Sequence, residues 1–425
     1  MKRLRALHIV HDSPRISQGC GGTERYVHAL ASTTGEPVLT RKRKGSGTLE
    51  KQTGTYPLWV LSQGLPTSPR FRDTWAIPAM EAALVQVLEK ENVDVVHLHH
   101  FAHLGFGLAE TASKYGVPVL FHLHDYHSIC VRGQLVQRDL SRCEGPSESK
   151  CAACVLEHLR AGPALHAAAR VAKILGVRKI ARDWIAKDDT KPKDLEQIRD
   201  RIGASKTDFA HISRFLSPSH NLAERMKTVG WADPKRIFVE DLPLNQGFQS
   251  KAPELRGAMR FLFVGSLIPT KGAHLLLEAA KGLDCEVFFY GPTPGFDGHP
   301  GWGEALVAAI RKQEGAHYGG VFQSDERDLI YESADVLVLP STWEENSPLV
   351  LREGLAAGLP VVASRVGGLA ELAPNAQFIP PDSAKALREA LQTEIQQGRR
   401  RNPRQDWPMK AHIEALQRHY SAVIS

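Results

Sequence analysis

The sequence predicts an α/β protein of two doubly wound parallel-sheet domains facing a cleft. Three observations carry that reading. Strand-length apolar runs alternate with helix-length amphipathic runs along the whole chain. A polar stretch interrupted by Pro and Gly, Asp241 to Pro253, separates two such alternating units. The chain has 425 residues, more than one hydrophobic core ordinarily serves.

In the first unit, Leu4 to Val10 reads as a buried strand. After it comes a loop with Gly21-Gly22, and Thr23 opens a helix carrying Tyr26, Val27, Leu30 and Ala31. Pro37 to Thr40 is a short strand, and Ile77 to Glu91 has helical periodicity. Val93 to His99 is a strand ending in a His-rich loop, Leu108 to Tyr115 a helix, and Val117 to His122 the next strand. Residues 155–200 read as helix-rich. Phe209 to Leu216 reads as a strand leading to an N-cap at Ser217 to Ser219, with a helix from His220 to Val229.

The second unit starts with the strand Arg260 to Val264 and continues through Glu286 to Tyr290, Ala334 to Leu339, Val361 to Ser364 and Phe378-Ile379. Met409, Ile413, Leu416 and Tyr420 then fall at helical spacing. The expected domains are 1–245 and 246–405, with a last helix at 406–425 that returns to the first.

The stretch Pro340 to Ser364 is the most informative. Its strand runs into a turn carrying Glu345, and Ser347 to Ala357 reads as a helix with Ser347 as N-cap and Pro348 at the first position. Glu353 lies two turns inside. The free N–H groups and positive dipole end of such a helix hold an anion such as a diphosphate. Carboxylates beside a phosphate repel it but accept hydrogen bonds from sugar hydroxyls.

This string, with Trp343, Glu345-Asn346-Ser347-Pro348-Leu349-Val350, Glu353 and Ala357-Gly358-Leu359-Pro360-Val361-Val362-Ala363-Ser364, resembles the Glu-x7-Glu signature of retaining, nucleotide-sugar-dependent glycosyltransferases of family 4. The resemblance covers nearly the whole chain and implies the GT-B fold, with two Rossmann-like domains and the ligand in the cleft at strand C-termini. It implies that Glu345 holds the donor sugar's hydroxyls and Glu353 the nucleotide ribose. Asn346, Ser347, Pro348, Leu349 and Val350 would supply the backbone at the donor. Phe263 to Gly272 matches the family's phosphate-contacting strand and loop, so Gly265 would admit backbone to the diphosphate and Lys271 would neutralise it. Ser266 stands where the family often has Arg, which removes one positive charge. Gly21-Gly22-Thr23-Glu24 resembles the loop that approaches the same phosphates from the other domain. His124 matches the family's active-site His, which contacts the transferring sugar. His97, His99, His100 and His103 read as lining a polar acceptor cleft rather than a metal site.

Four cysteines, Cys130, Cys143, Cys151 and Cys154, follow the His124 strand. In a reduced compartment they suggest a structural Zn²⁺ site, although the uneven spacing is not that of a zinc ribbon; free thiols or disulfides are the alternatives. Cys20 and Cys285 read as packing residues.

Residues 1–245 hold 35 Lys/Arg against 26 Asp/Glu, and the remainder 18 against 21, so the net +6 is concentrated in the first half. That bias fits an anionic membrane surface or acidic acceptor, or simply a solvated surface with Arg41-Lys42-Arg43-Lys44 on a loop. With 7% aromatic residues and a mild basic excess, nucleic acid is not an expected partner. No run of about 18 apolar residues occurs, so no membrane-spanning helix is expected and the protein is placed in the cytoplasm, at most peripheral at the inner membrane face. The expected activity is transfer of a hexose-type sugar from a nucleotide diphosphate donor to a glycan or lipid-linked acceptor, without a catalytic metal or other cofactor. An epimerase or hydrolase of nucleotide sugars, or a binding module without catalysis, are the alternatives at this stage.

Overall fold

A computed structural model describes residues 3–17, 20–66, 70–160, 192–244, 248, 257–323 and 325–424. Its strands form two sheets. The first contains β1 (Ala6–Ile9), β2 (Val38–Lys42), β3 (Ser46–Gln52), β4 (Leu58–Gln63), β5 (Val95–Leu98), β6 (Val119–His122), β7 (Arg214–Ser217) and β8 (Ile237–Val239), in the order β3-β4-β2-β1-β5-β6-β7-β8. All pairs are parallel except β3 with β4. The second contains β9 (Met259–Val264), β10 (Cys285–Tyr290), β11 (Ala316–Gly320), β12 (Val336–Leu339), β13 (Val361–Ser364) and β14 (Gln377–Ile379), wholly parallel in the order β11-β10-β9-β12-β13-β14.

Alternation along each strand divides the core between the two faces of its sheet. Leu7 and Ile9 pack with Val96 and Phe121 on one face, whereas Ala6 and Val10 pack with Tyr26, Leu416 and Tyr420 on the other. In the second sheet, Phe261 and Phe263 join Val336 and Val338, and Leu262 and Val264 join Leu337 and Leu339. The final helix, Met409–Ile424, belongs to the first core: it contributes Leu416 and Tyr420, and Gln417 bonds both the N–H and the carbonyl of Leu4.

Several elements differ from the sequence reading. Phe209 to His211 form the last turn of the helix Pro192–His211, and the strand begins only at Arg214. β3, β4, β8 and β11 have no counterpart in that reading; β3 is a mostly exposed edge strand without an apolar run, so burial periodicity cannot mark it. Arg41 is not on a loop: it lies on β2, 3% exposed, and donates to the carbonyls of Gln63, His103 and Gly64. Most of the Asp241–Pro253 linker, and residues 161–191 of the helix-rich stretch, lie outside the described residues.

The second helix-start reading is also corrected. The helix after β12 is Leu349–Ala356 with Pro348 as N-cap, and no side chain caps it. Ser347 instead accepts from Arg352 at 2.6 Å, because that guanidinium is fully buried and requires every acceptor within reach. Arg352 also pairs with Asp241 and lies over the Trp407 ring at 5.1 Å, which ties the helix to the linker.

Candidate active site in the interdomain cleft

The C-terminal ends of β9 and β12 converge on one loop. Gly272 has φ +73° and Gly367 φ +52°, and a Cβ on either would sit 1.9 Å from a carbonyl oxygen of that loop, Pro340 or Glu345. Only glycine allows both segments to seat there. Held this way, Glu345 is 4% exposed, and its Oε1 accepts from Lys271 Nζ at 2.7 Å, Ser341 Oγ at 2.7 Å and Trp343 Nε1 at 2.9 Å. Lys271 also lies 5.1 Å from the centre of the Trp343 ring. One oxygen of Glu345 is thus fully engaged, while the Lys271 ammonium, about a quarter exposed, keeps donors for a second anion.

Glu353 accepts from Tyr331 Oη at 2.5 Å, and burial holds its carboxyl above the usual carboxylate range despite that bond. Gly265 and Ser266 follow β9, where Gly265 N–H donates to Tyr290 at 2.9 Å. Gly21 is the N-cap of the helix Gly22–Thr34, and a Cβ on Gly22 would come within 3.5 Å of Leu349. Gly22 therefore abuts Leu349, at the start of the opposite domain's helix, whereas Gly21 lies against the Glu24 carboxylate. Glu24, beside them, is buried, but the hydrogen bond and charge of His11 overcome that and lower it to about 2.

The domains are clasped around this point. Asn346 Nδ2 donates to the His124 carbonyl at 2.9 Å, Thr270 to Gln134 at 3.0 Å, and Arg225 with Tyr126 to Glu344. Glu371 accepts from the N–H groups of His220 and Asn221, at 2.6 and 2.7 Å. None of the clasp residues Arg225, Glu344 and Glu371 is singled out by a sequence motif, since each is an ordinary surface charge until its partner is known.

The histidines do not all line the cleft. His97 and His99 are buried in a stack with His8, His122 and His124, whereas His100 pairs with Asp125 at 2.8 Å and His103 lies exposed near Arg43. Nitrogens of His8, His97 and His99, and of His99, His122 and His124, lie close enough to share an ion. Their rings are stacked, His122 on His124 with centroids 4.7 Å apart at 20° and His97 on His99 at 4.1 Å and 30°. Ring lone pairs lie in the ring plane, so near-parallel rings one above another do not aim at a common centre. Burial, then the charge of His100, lowers His124 to about 3.

Cys130, Cys143, Cys151 and Cys154 surround one cavity of about 30 Å³. Leu135 and Val136, each 3% exposed, anchor this excursion in the first core, which its polar composition conceals.

Two family models match the chain: "Glycosyltransferase Family 4" over residues 20–151 and "Glycosyl transferases group 1" over residues 248–407. TuaC of Bacillus subtilis, a protein named for teichuronic acid biosynthesis, is 30% identical over 200 residues, 44% of this chain and 48% of that one. A D-inositol 3-phosphate glycosyltransferase of Corynebacterium efficiens is 32% identical over 157 residues, 32% of this chain and 37% of that one. The matched region thus spans about half or less of these curated relatives. The fold matches the catalytic domain of starch synthase IV from Arabidopsis thaliana, bound to ADP and acarbose, with TM-score 0.64, 12% identity and full coverage of both chains. It also matches HepE of Anabaena in complex with UDP and glucose, with TM-score 0.59, 15% identity, and 99% and 95% coverage.

Proposed function

The chain belongs to the family 4 glycosyltransferases, and we propose that it transfers a sugar, with retained anomeric configuration, from a nucleotide diphosphate donor to a hydroxyl of a glycan or lipid-linked acceptor. The observation that carries this reading is the Lys271–Glu345 pair at the mouth of the 340–349 loop, faced by Gly22 from the other domain. Three positive elements surround the place where a leaving diphosphate would gain charge: the Lys271 ammonium, the N–H groups at Leu349 and Val350, and those of the Gly22 turn. These replace a divalent cation, so no metal has a role in the chemistry. Glu345 holds Lys271 in position with Oε1 and leaves Oε2 for a sugar hydroxyl. Glu353 takes the ribose, and His124 meets the transferring sugar. HepE, solved with UDP-glucose, supports a nucleotide-sugar donor.

The acceptor belongs to polysaccharide, lipopolysaccharide or lipid-linked glycan synthesis in this reading, and the basic excess of residues 1–245 would favour an anionic inner membrane face. Among the described residues no helix is long and apolar enough to cross a membrane.

The cysteine excursion would hold one structural Zn²⁺ through the thiolates of Cys130, Cys143, Cys151 and Cys154. Arg201, 3% exposed, and Arg132 lie near these sulfurs and would offset the negative charge of four thiolates on Zn²⁺, and the sulfurs would have to draw together around the ion, since among the described residues no three of them lie within 4.8 Å of one another.

A thermal-shift panel of UDP-, GDP- and ADP-linked hexoses tests the donor reading. Stabilisation by one nucleotide sugar, followed by acceptor-dependent release of its nucleotide, is the expected result. Release that needs no acceptor would assign the site to a hydrolase, and no stabilisation by any donor would refute the reading.

A further inference from the structure

β2 runs parallel to β1 and β4, so the residues that follow it reach the same edge of the first sheet as the loops after β1 and β5. That edge, at the strand C-termini, faces the cleft. Two arginines there meet one histidine. Arg41, 3% exposed, donates to the His103 carbonyl at 2.7 Å, and Arg43 Nη1 donates to His103 Nε2 at 3.2 Å. His103 has φ +62°, a left-handed conformation that is costly for a residue with a side chain and persists only where its surroundings impose it. Here it is imposed by a buried guanidinium that is itself held by the carbonyls of Gln63 and Gly64. A guanidinium only donates, so His103 Nε2 accepts. The ring fixes Nη1 of Arg43 and leaves Nε and Nη2 available.

Among the described residues, no carboxylate pairs with Arg41 or Arg43. The acids beside the neighbouring rings are already engaged, Glu24 by His11 at 2.7 Å and Asp125 by His100 at 2.8 Å. The His11 ring lies 4.4 Å from that of His100 and 5.8 Å from that of His103, so these groups form one cluster. Burial, then the charge of Arg43, lowers the Arg41 guanidinium below its usual range, so the two cations work against each other. An anion at Arg43 relieves that repulsion.

We propose that Arg43, oriented by His103 and braced by Arg41, is an acceptor subsite for an anionic group, a carboxylate or phosphate carried by the acceptor sugar. The planar fork of Nε and Nη2 matches either anion with two parallel hydrogen bonds. His103 and Arg41 are positioning residues. A solvated arginine would need neither a left-handed histidine nor a buried guanidinium beneath it. The cluster reaches Glu24, two residues past Gly22, from the first domain, whereas Lys271 meets the donor diphosphate from the second. The anion is therefore placed on the acceptor rather than the donor.

This inference rests on the glycosyltransferase reading for calling the ligand an acceptor, but anion binding is measured without turnover. In full-length chain labelled with ¹⁵N-arginine, the Arg43 Nε–H resonance is assigned by its loss in Arg43→Gln. It should move with glucuronate or with glucose 6-phosphate and stay in place with glucose, and the two acids separate a carboxylate ligand from a phosphate. Movement with neither acid, or equal movement with glucose, would overturn the proposal. With whichever donor of the UDP, GDP and ADP panel binds, the acid that moves the resonance should be a better acceptor than glucose. Arg43→Gln should raise the KM for that acceptor about tenfold or more, with the donor KM little changed. His103→Leu should raise the same KM, and His103→Gln, which keeps an oxygen for Nη1, should restore it; equal losses would refute the positioning role. An Arg43→Gln chain that loses affinity for phosphatidylglycerol vesicles but not for the acidic sugars would assign Arg43 to a membrane surface, against the proposal. Failure of every donor to bind would remove the glycosyltransferase reading and leave the resonance result standing. Turnover with an acceptor KM unchanged by Arg43→Gln would remove the subsite alone.

Discussion

Replacing Glu345 by Gln separates the carboxylate's charge from its shape. The three donors on Oε1 are Lys271 at 2.7 Å, Ser341 at 2.7 Å and Trp343 at 2.9 Å. A Gln carbonyl at the same place keeps acceptors for Ser341 and Trp343 but demotes the contact with Lys271 from an ion pair to a bond between a cation and a neutral oxygen. That demotion costs about 1–2 kcal/mol in anchoring the ammonium. The fold should tolerate it, since the Lys271 side chain is about a quarter exposed and water can solvate the freed ammonium. The effect on chemistry is larger. The amide NH₂ replaces an oxygen that would accept from a sugar hydroxyl, and the loosened ammonium no longer sits where charge develops on the leaving diphosphate. Losing one preorganised electrostatic stabiliser costs roughly 3–4 kcal/mol, or 10²–10³ in turnover. The assay is nucleotide release with the donor that the panel identifies, run beside thermal melts of both proteins. A Gln variant with near-native melting and turnover within about threefold of wild type would refute both the pairing argument and the role given to Glu345.

Other outcomes follow from the same contacts. Asp241→Ala should destabilise the chain by about 3 kcal/mol and Arg352→Met by less, because the first strands a fully buried guanidinium while the second leaves a half-exposed carboxylate that water can solvate; denaturant melts that rank them the other way would contradict this. Glu240 is partly buried, but hydrogen bonds from His412 and His419 on the final helix lower it to about 2 from 4.5. A depressed acid stabilises the fold above its unfolded pKa and loses that stabilisation as pH falls from about 4.5 through 2; Glu240→Gln should flatten this part of the stability–pH curve, and an unchanged curve would place the effect elsewhere. Elemental analysis should find about one Zn²⁺ per chain, with Cys151→Ser losing it together with acceptor binding but not donor binding, and turnover should survive a short exposure to excess EDTA. Metal-free protein with four freely titrating thiols would remove the zinc site alone.

How much was legible in the sequence depends on whether a residue's meaning is local. The parallel strands announce themselves as short apolar runs such as Val336 to Leu339, because both faces of the sheet are covered and all their side chains are buried. The strand-loop-helix settings of Gly265, Lys271, Glu345 and Glu353 were legible because each motif is contiguous, and the fold brings the ends of β9 and β12 together in a way that any doubly wound sheet would. The edge strand Ser46–Gln52 was not legible, since its mostly exposed residues carry no burial signal and it is a strand only by pairing with β4. Ser347 misled because a serine before proline has the chemistry of an N-cap, and only the position of Arg352 on the next turn shows that the hydroxyl is already engaged.

The buried histidine cluster shows the same limit at its sharpest. His8, His99 and His124 lie 91 and 25 residues apart in successive links, and each alone reads as a core or cleft histidine. Their relation depends on β1, β5 and β6 being neighbours in that register, with His8 opposite His97. Glu36 is further disguised, because a glutamate between Gly35 and Pro37 looks like a solvated turn residue. It is instead buried at 4% exposure, and an ionised carboxylate there is costly unless something donates to it. Arg3 is 47% exposed and 3.8 Å away, and the Ala6 amide reaches it only at 3.4 Å, so His8 at 3.1 Å is the nearest side-chain partner. A carboxylate buried at that cost becomes legible only once the fold shows that His8, from the neighbouring strand, is its closest side-chain partner.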